Sequence, residues 1–107
     1  MNGLESTDRR RHSRHPLATS VQFHHGPSRR DFPGRCVDVS HGGMLMNVPA
    51  FVPIQPGHMI RLAVGSVNRP EFAGLGEGPL DATIVRVDRD KLPAKGHIAI
   101  GVKFAET

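Results

Sequence analysis

Ile98-Ala99-Ile100-Gly101-Val102-Lys103-Phe104 sets Ile98, Ile100, Val102 and Phe104 at every second position, with Ala99, Gly101 and Lys103 between them. Two is the side-chain period of extended backbone, so the stretch predicts a strand with one apolar face. Upstream, Leu80, Ala82, Ile84 and Arg86 alternate with Asp81, Thr83, Val85 and Val87, and the polar stretch 88–95 with Pro93 between the two runs predicts a turn. Further back, residues 58–64 carry Met59, Ile60, Leu62 and Val64, residues 44–48 form a short apolar run, and residues 35–39 hold Cys36 and Val37 at their centre. Nearest the N-terminus, Leu17, Thr19, Val21 and Phe23 alternate with Ala18, Ser20 and Gln22. The linking stretches are Gly- and Pro-rich: 24–33 reads as a turn region, 38–43 as the tip of a hairpin over 35–48, and 65–79 as a long loop or ragged hairpin. With twelve Gly and nine Pro, long helices are disfavoured. Six short strands so joined predict an all-β fold, a small six-stranded antiparallel barrel, because closure hides strand edges.

A chain of 107 residues is the size of one domain. Residues 1–8 are polar and without period, which predicts a disordered leader before a single domain over 9–107. One cysteine, Cys36, excludes a disulfide framework or a Cys-rich zinc site, and its strand setting predicts a packed thiol. No apolar run approaches a membrane span and no signal-peptide core opens the chain, so the expected setting is soluble and cytoplasmic, with no membrane partner. Seven histidines raise the question of metal, yet His24 and His25 sit on the predicted turn with no Cys or acidic cluster beside them, so they are expected to be solvent-exposed and no metal site is expected. Phosphate-loop, nucleophile-elbow and H-E-x-x-H patterns do not occur, so no catalysis is expected.

The charge is concentrated. Residues 1–35 hold Arg9, Arg10, Arg11, Arg14, Arg29, Arg30 and Arg35 against Glu5, Asp8 and Asp31, while bases and acids cancel from 36 onward, so the net +4 lies in the first third. All those bases are arginine, whose planar fork suits phosphate oxygens or a guanine edge. Without Trp or Tyr there is little to stack single-stranded bases, so nucleic acid is not the expected partner. Two short patterns complement each other: Arg10-x-x-x-Arg14, and Asp38-x-Ser40-x-x-Gly43 at a strand end. A carboxylate such as Asp38 accepts from guanine N1–H and N2–H₂, donors that arginine cannot read, and Ser40 donates or accepts. Gly42 and Gly43 permit close backbone approach or positive φ. Together these residues predict a site for an anionic, guanine-like ligand; alone, the second pattern also suits a turn bonded to itself.

Arg9-Arg10-Arg11-His12-Ser13-Arg14-His15-Pro16-Leu17 and Asp38-Val39-Ser40-His41-Gly42-Gly43-Met44, followed by the strands over 82–87 and 98–104, resemble the PilZ domain family, bacterial receptors for cyclic di-GMP. The resemblance implies a six-stranded barrel with a flexible arginine segment, residues 9–16, folding over one face onto the ligand. By that resemblance Arg10 and Arg14 grip phosphates and guanine edges, Asp38 and Ser40 bind a guanine, and Gly43 keeps the turn open. Arg9 stands where Arg-bearing members take two intercalated ligand molecules rather than one. Arg11, His41, Gly42 and Arg86 are further candidates. The implied function is non-catalytic: cyclic di-GMP orders the arginine segment and creates a surface for a separate downstream protein, with no other cofactor. A ligand-independent adaptor and a non-specific nucleic-acid barrel are the alternatives.

Overall fold

The computed structural model describes residues 14–65, 74–75, 77–90 and 95–105; the leader 1–8 and Arg9, Arg10 and Arg11 lie outside them. Six strands form: β1 (His15–His25), β2 (Arg30–Val39), β3 (Gly43–Pro49), β4 (Met59–Val64), β5 (Leu80–Asp88) and β6 (His97–Phe104). They close into a barrel in the order β1-β2-β3-β6-β5-β4, with every ladder antiparallel. The predicted period holds in β6, where Ile98, Ile100 and Val102 are buried. In the ladders Met46 faces Ile100, Val48 faces Ile98 and Cys36 faces Met46, filling the interior together with Phe23, Leu62 and Ile84. Burial pushes the Cys36 thiol pKa up to about 12, with the Asp38 charge adding to the effect, so the thiol is packed and un-ionised.

Two expectations need correction. The region 24–33 is mostly strand: only the turn at Gly26, Pro27, Ser28 and Arg29 separates β1 from β2. Pro33 pairs with Gln22 inside β2, and β2 meets β3 only from Arg35 onward, so the missing N–H of Pro33 falls where the second ladder has not begun. His24 and His25 therefore both belong to β1. His25 follows Val21 and Phe23 onto the inner face and is 1% exposed, contrary to the expected solvent position, whereas His24 does face outward, where it meets Asp31 at 2.8 Å.

Candidate functional site

Strand alternation by itself would send Asp38 inward with Cys36, and Arg86 inward with Ile84. Irregularities in register prevent both. On β2, Cys36 pairs with Met46 while Asp38 pairs with Leu45, so Val37 is an extra residue; on β5, Ile84 pairs with Val102 while Arg86 pairs with Gly101, so Val85 is the extra one. Each bulge turns the following side chain to the outer face. The alternation that sets Arg86 in step with Leu80, Ala82 and Ile84 is broken by the Val85 bulge, which leaves Arg86 exposed. The outcome is one row across the barrel wall, Asp38–Leu45–Gly101–Arg86, running over β2, β3, β6 and β5. Gly101 makes the floor of that row low. A Cβ there would meet only side-chain carbons at 3.8 Å or more, so packing does not require the glycine.

Arg14, just before β1, reaches this row. His15 pairs with Val39, which sets the start of β1 beside the end of β2, and the Arg14 guanidinium donates to Asp38 Oδ1 at 2.6 Å. Their side chains are 47% and 21% exposed, so the pair meets solvent and adds only about 0–1 kcal/mol to stability. Two residues that stand 24 positions apart in the sequence are thus joined at one place.

The turn after Asp38 is built largely from its own bonds. Ser40 N–H donates to the Gly43 carbonyl at 2.9 Å, Gly42 N–H donates to Ser40 Oγ at 3.3 Å, and Phe104 N–H donates to the Gly42 carbonyl at 2.9 Å. Neither Gly42 nor Gly43 lies in the left-handed region. Gly43 answers instead to close approach, since a Cβ there would stand 2.2 Å from the Val102 carbonyl oxygen across the β3–β6 ladder. Behind the turn, at the barrel mouth, lies a cavity of about 270 Å³ whose apolar wall is Val39, Leu75, Leu80 and Phe104 and whose polar rim is Ser40 and His41. His41 borders this cavity. Among the described residues there is no group of three or more potential metal ligands and no helix long and apolar enough to cross a membrane.

A closed six-stranded barrel with an arginine joined to a strand-end Asp-x-Ser-x-x-Gly turn defines a class of small β-barrel modules. This chain belongs to the PilZ family: the PilZ domain model matches residues 8–107. Among solved structures it is similar to the Bacillus subtilis inhibitor of motility MotI/DgrA, at 18% identity and a TM-score of 0.67, over 92% of this chain and 43% of that one. It is likewise similar to the PilZ domain of Escherichia coli YcgR, solved with c-di-GMP, at 19% identity and a TM-score of 0.67, over 92% of this chain and 79% of that one. At such identity these structures bear on the fold alone. No curated protein matches the chain.

Proposed function

We propose that this PilZ domain is a non-catalytic receptor for cyclic di-GMP. The observation that carries the reading is the 2.6 Å contact of Arg14 with Asp38, because it joins a residue of each motif at one exposed point on the wall. Their chemistries divide the ligand between them. Arg14, with Arg10, takes phosphate oxygens and the guanine O6/N7 edge, while the Asp38 carboxylate accepts from N1–H and N2–H₂. Asp38 Oδ2 has no partner among the described residues, so one oxygen is available to a base while the other holds Arg14. Ser40 and Gly43 shape the turn beside that base, and Leu45 and Gly101 offer a low floor towards Arg86. Arg9, Arg10, Arg11 and Arg14 repel one another, and a ligand with two phosphates cancels the repulsion and ties the segment to the barrel. Ordering that segment uses a few kcal/mol of the interaction energy. The surface so formed would face a downstream protein. Arg9 favours two intercalated ligands per chain.

Isothermal titration with cyclic di-GMP at two salt concentrations, with GTP and cyclic di-AMP as controls, tests the reading. Selective saturable heat supports it, and the molar ratio reads one ligand or two. Equal responses to all three, falling steeply with salt, would point to non-specific anion binding. No heat with cyclic di-GMP would sink the receptor and leave an adaptor acting through protein contacts.

A further inference from the structure

The end of the barrel away from Arg14 and Asp38 holds a titratable group that ligand binding does not use. His25 closes β1 with its ring buried. Its Nδ1 lies 2.7 Å from Ser28 Oγ in the β1–β2 turn, and its Nε2 lies 2.9 Å from His58 Nδ1, just before β4. His58 Nδ1 also faces the Gln55 backbone N–H at 3.2 Å. We propose that His25 and His58 form a proton-sensitive clasp, which ties the β1–β2 turn to the 55–58 connector while both rings are neutral and releases it on acidification.

The donors assign the protons. A backbone N–H can only donate, so His58 Nδ1 is a bare acceptor. The single hydrogen between the rings therefore belongs to His25 Nε2, and neutral His25 accepts the Ser28 hydroxyl proton at Nδ1. The three ring nitrogens on the path Ser28–His25–His58–Gln55 are then satisfied, and an added proton has two places to go. On His58 Nδ1 it would confront two donors, breaking both the His25 and the Gln55 bonds. On His25 Nδ1 the Ser28 hydroxyl could turn to accept it, but the charge would be buried. That burial, with positive charge on His58 and on His24 adding to it, lowers the His25 pKa below the usual histidine value.

The surrounding charges do not relieve this. Arg29 lies in the turn itself, Arg30 pairs with His25 in the β1–β2 ladder, Arg61 on β4 pairs with His24 and bonds Asp81, and Arg89 donates to the Ile54 carbonyl of the connector. On β2, Asp31 is engaged by His24. Among the described residues no carboxylate bonds either ring of the pair. Release would reach the surface as well: His25 packs edge-on against Phe32 at 6.3 Å, and on Phe32 rest the Arg30 guanidinium at 5.9 Å and the exposed Phe51 ring at 6.3 Å.

The test is amide hydrogen exchange on the full chain from pH 7.5 to 5.0, read as protection factors at Gln55 and Arg29. Wild-type protection is expected to fall by more than about tenfold per pH unit below about 6.5, because opening frees both rings of the clasp to take up protons. His58→Asn supplies an acceptor oxygen where Nδ1 stood but leaves His25 to take up a proton on opening, so its protection should fall less steeply than in the wild type, and the double variant His25→Gln/His58→Asn should stay flat. His24→Gln, altering an exposed neighbour, should keep the wild-type slope. Nitrogen-15 titration of the wild-type imidazoles decides the matter even if the Asn variant does not fold, and should find both rings of the pair neutral until the Gln55 amide loses protection. Equal slopes in wild type and His58→Asn, or either ring protonating with Gln55 protection intact, would overturn the proposal.

Discussion

At one end of the barrel Arg14 meets Asp38 with the two side chains 47% and 21% exposed; at the other His25 meets His58 with His25 1% exposed. Both pairs join distant stretches through one short contact, yet solvent makes them different objects. Water screens the first pair and solvates whichever partner is released, so the contact can be exchanged for a ligand at little expense to the fold. In the second pair the His25 ring has no water to fall back on, while His58 is half-exposed, so the protonation state of His25 and the local packing are one variable. In this barrel the exchangeable charges stand where solvent reaches both partners, and the structural contact stands where one partner is buried.

The largest expected effect cuts across that contrast, because one residue of the exposed end is structural. Gly43→Ala would force a methyl group against the Val102 carbonyl oxygen, 2.2 Å from the Cβ position, and backbone cannot yield as a side-chain tip does. We expect a loss of about 3 kcal/mol or more in urea unfolding. Unchanged stability would mean that β3 and β6 can part enough to admit a methyl group, and that close approach does not require Gly43. Next comes Asp38→Ala. It should weaken cyclic di-GMP binding about 10- to 100-fold, the scale of losing hydrogen bonds to a charged group, while shifting unfolding by no more than about 1 kcal/mol. A large stability change with binding intact would reverse the roles given to Asp38 and Gly43.

The pH dependence of stability separates the two ends by sign. Below about 6.5 the unfolded chain takes up a proton that native His25, with its lowered pKa, resists; stability should therefore fall with decreasing pH, by about 1.4 kcal/mol per unit until the native group titrates. Cys36, two residues before Asp38, acts at the alkaline side. Its native pKa of about 12 stands above the ordinary 9.0, so stability should hold up to pH 9 and then decline, because the unfolded thiol ionises first. Urea midpoints from pH 5 to 10.5 read both limbs. A Cys36→Ser variant should flatten the alkaline limb alone, and a flat acid limb in wild type would count against the neutral His25.

How far the sequence reveals this depends on the range of the interaction. Strand alternation and Gly/Pro turns are local, so six strands, the 35–48 hairpin and the packed Cys36 can all be read from it. The Asp38-x-Ser40-x-x-Gly43 spacing is also local, and its place at a strand end holds. The length of the β1–β2 hairpin is hidden, because Pro33 signals a break wherever its partner strands are unknown. His25 is hidden for a related reason: its inward position follows from a strand that runs two residues past Phe23, and His58 lies 33 residues further on. Gly43 shows how one residue can satisfy a motif for a reason the motif does not state.

Arg86 gives the smallest expected effect and the sharpest use of the bulges. Arg61 and Arg86 are both exposed arginines in mid-strand, and neither is distinguished by its neighbours in sequence. Arg61 on β4 is held by Asp81 at 2.9 Å, both side chains being more than half exposed. Arg86 has no ion-pair partner among the described residues, and the Val85 bulge aims it at the Gly101 end of the row that begins with Asp38. If that row is the ligand's floor, Arg86 meets the far side of a bound molecule through solvent-exposed charge, a contact of about 0.5–1 kcal/mol. Arg86→Ala should therefore weaken cyclic di-GMP binding about two- to fivefold and leave the urea midpoint unchanged, while Arg61→Ala should change neither. Equal losses from the two substitutions would mean that net charge, not position on the wall, governs binding, and the β5 bulge would then serve the barrel's curvature alone.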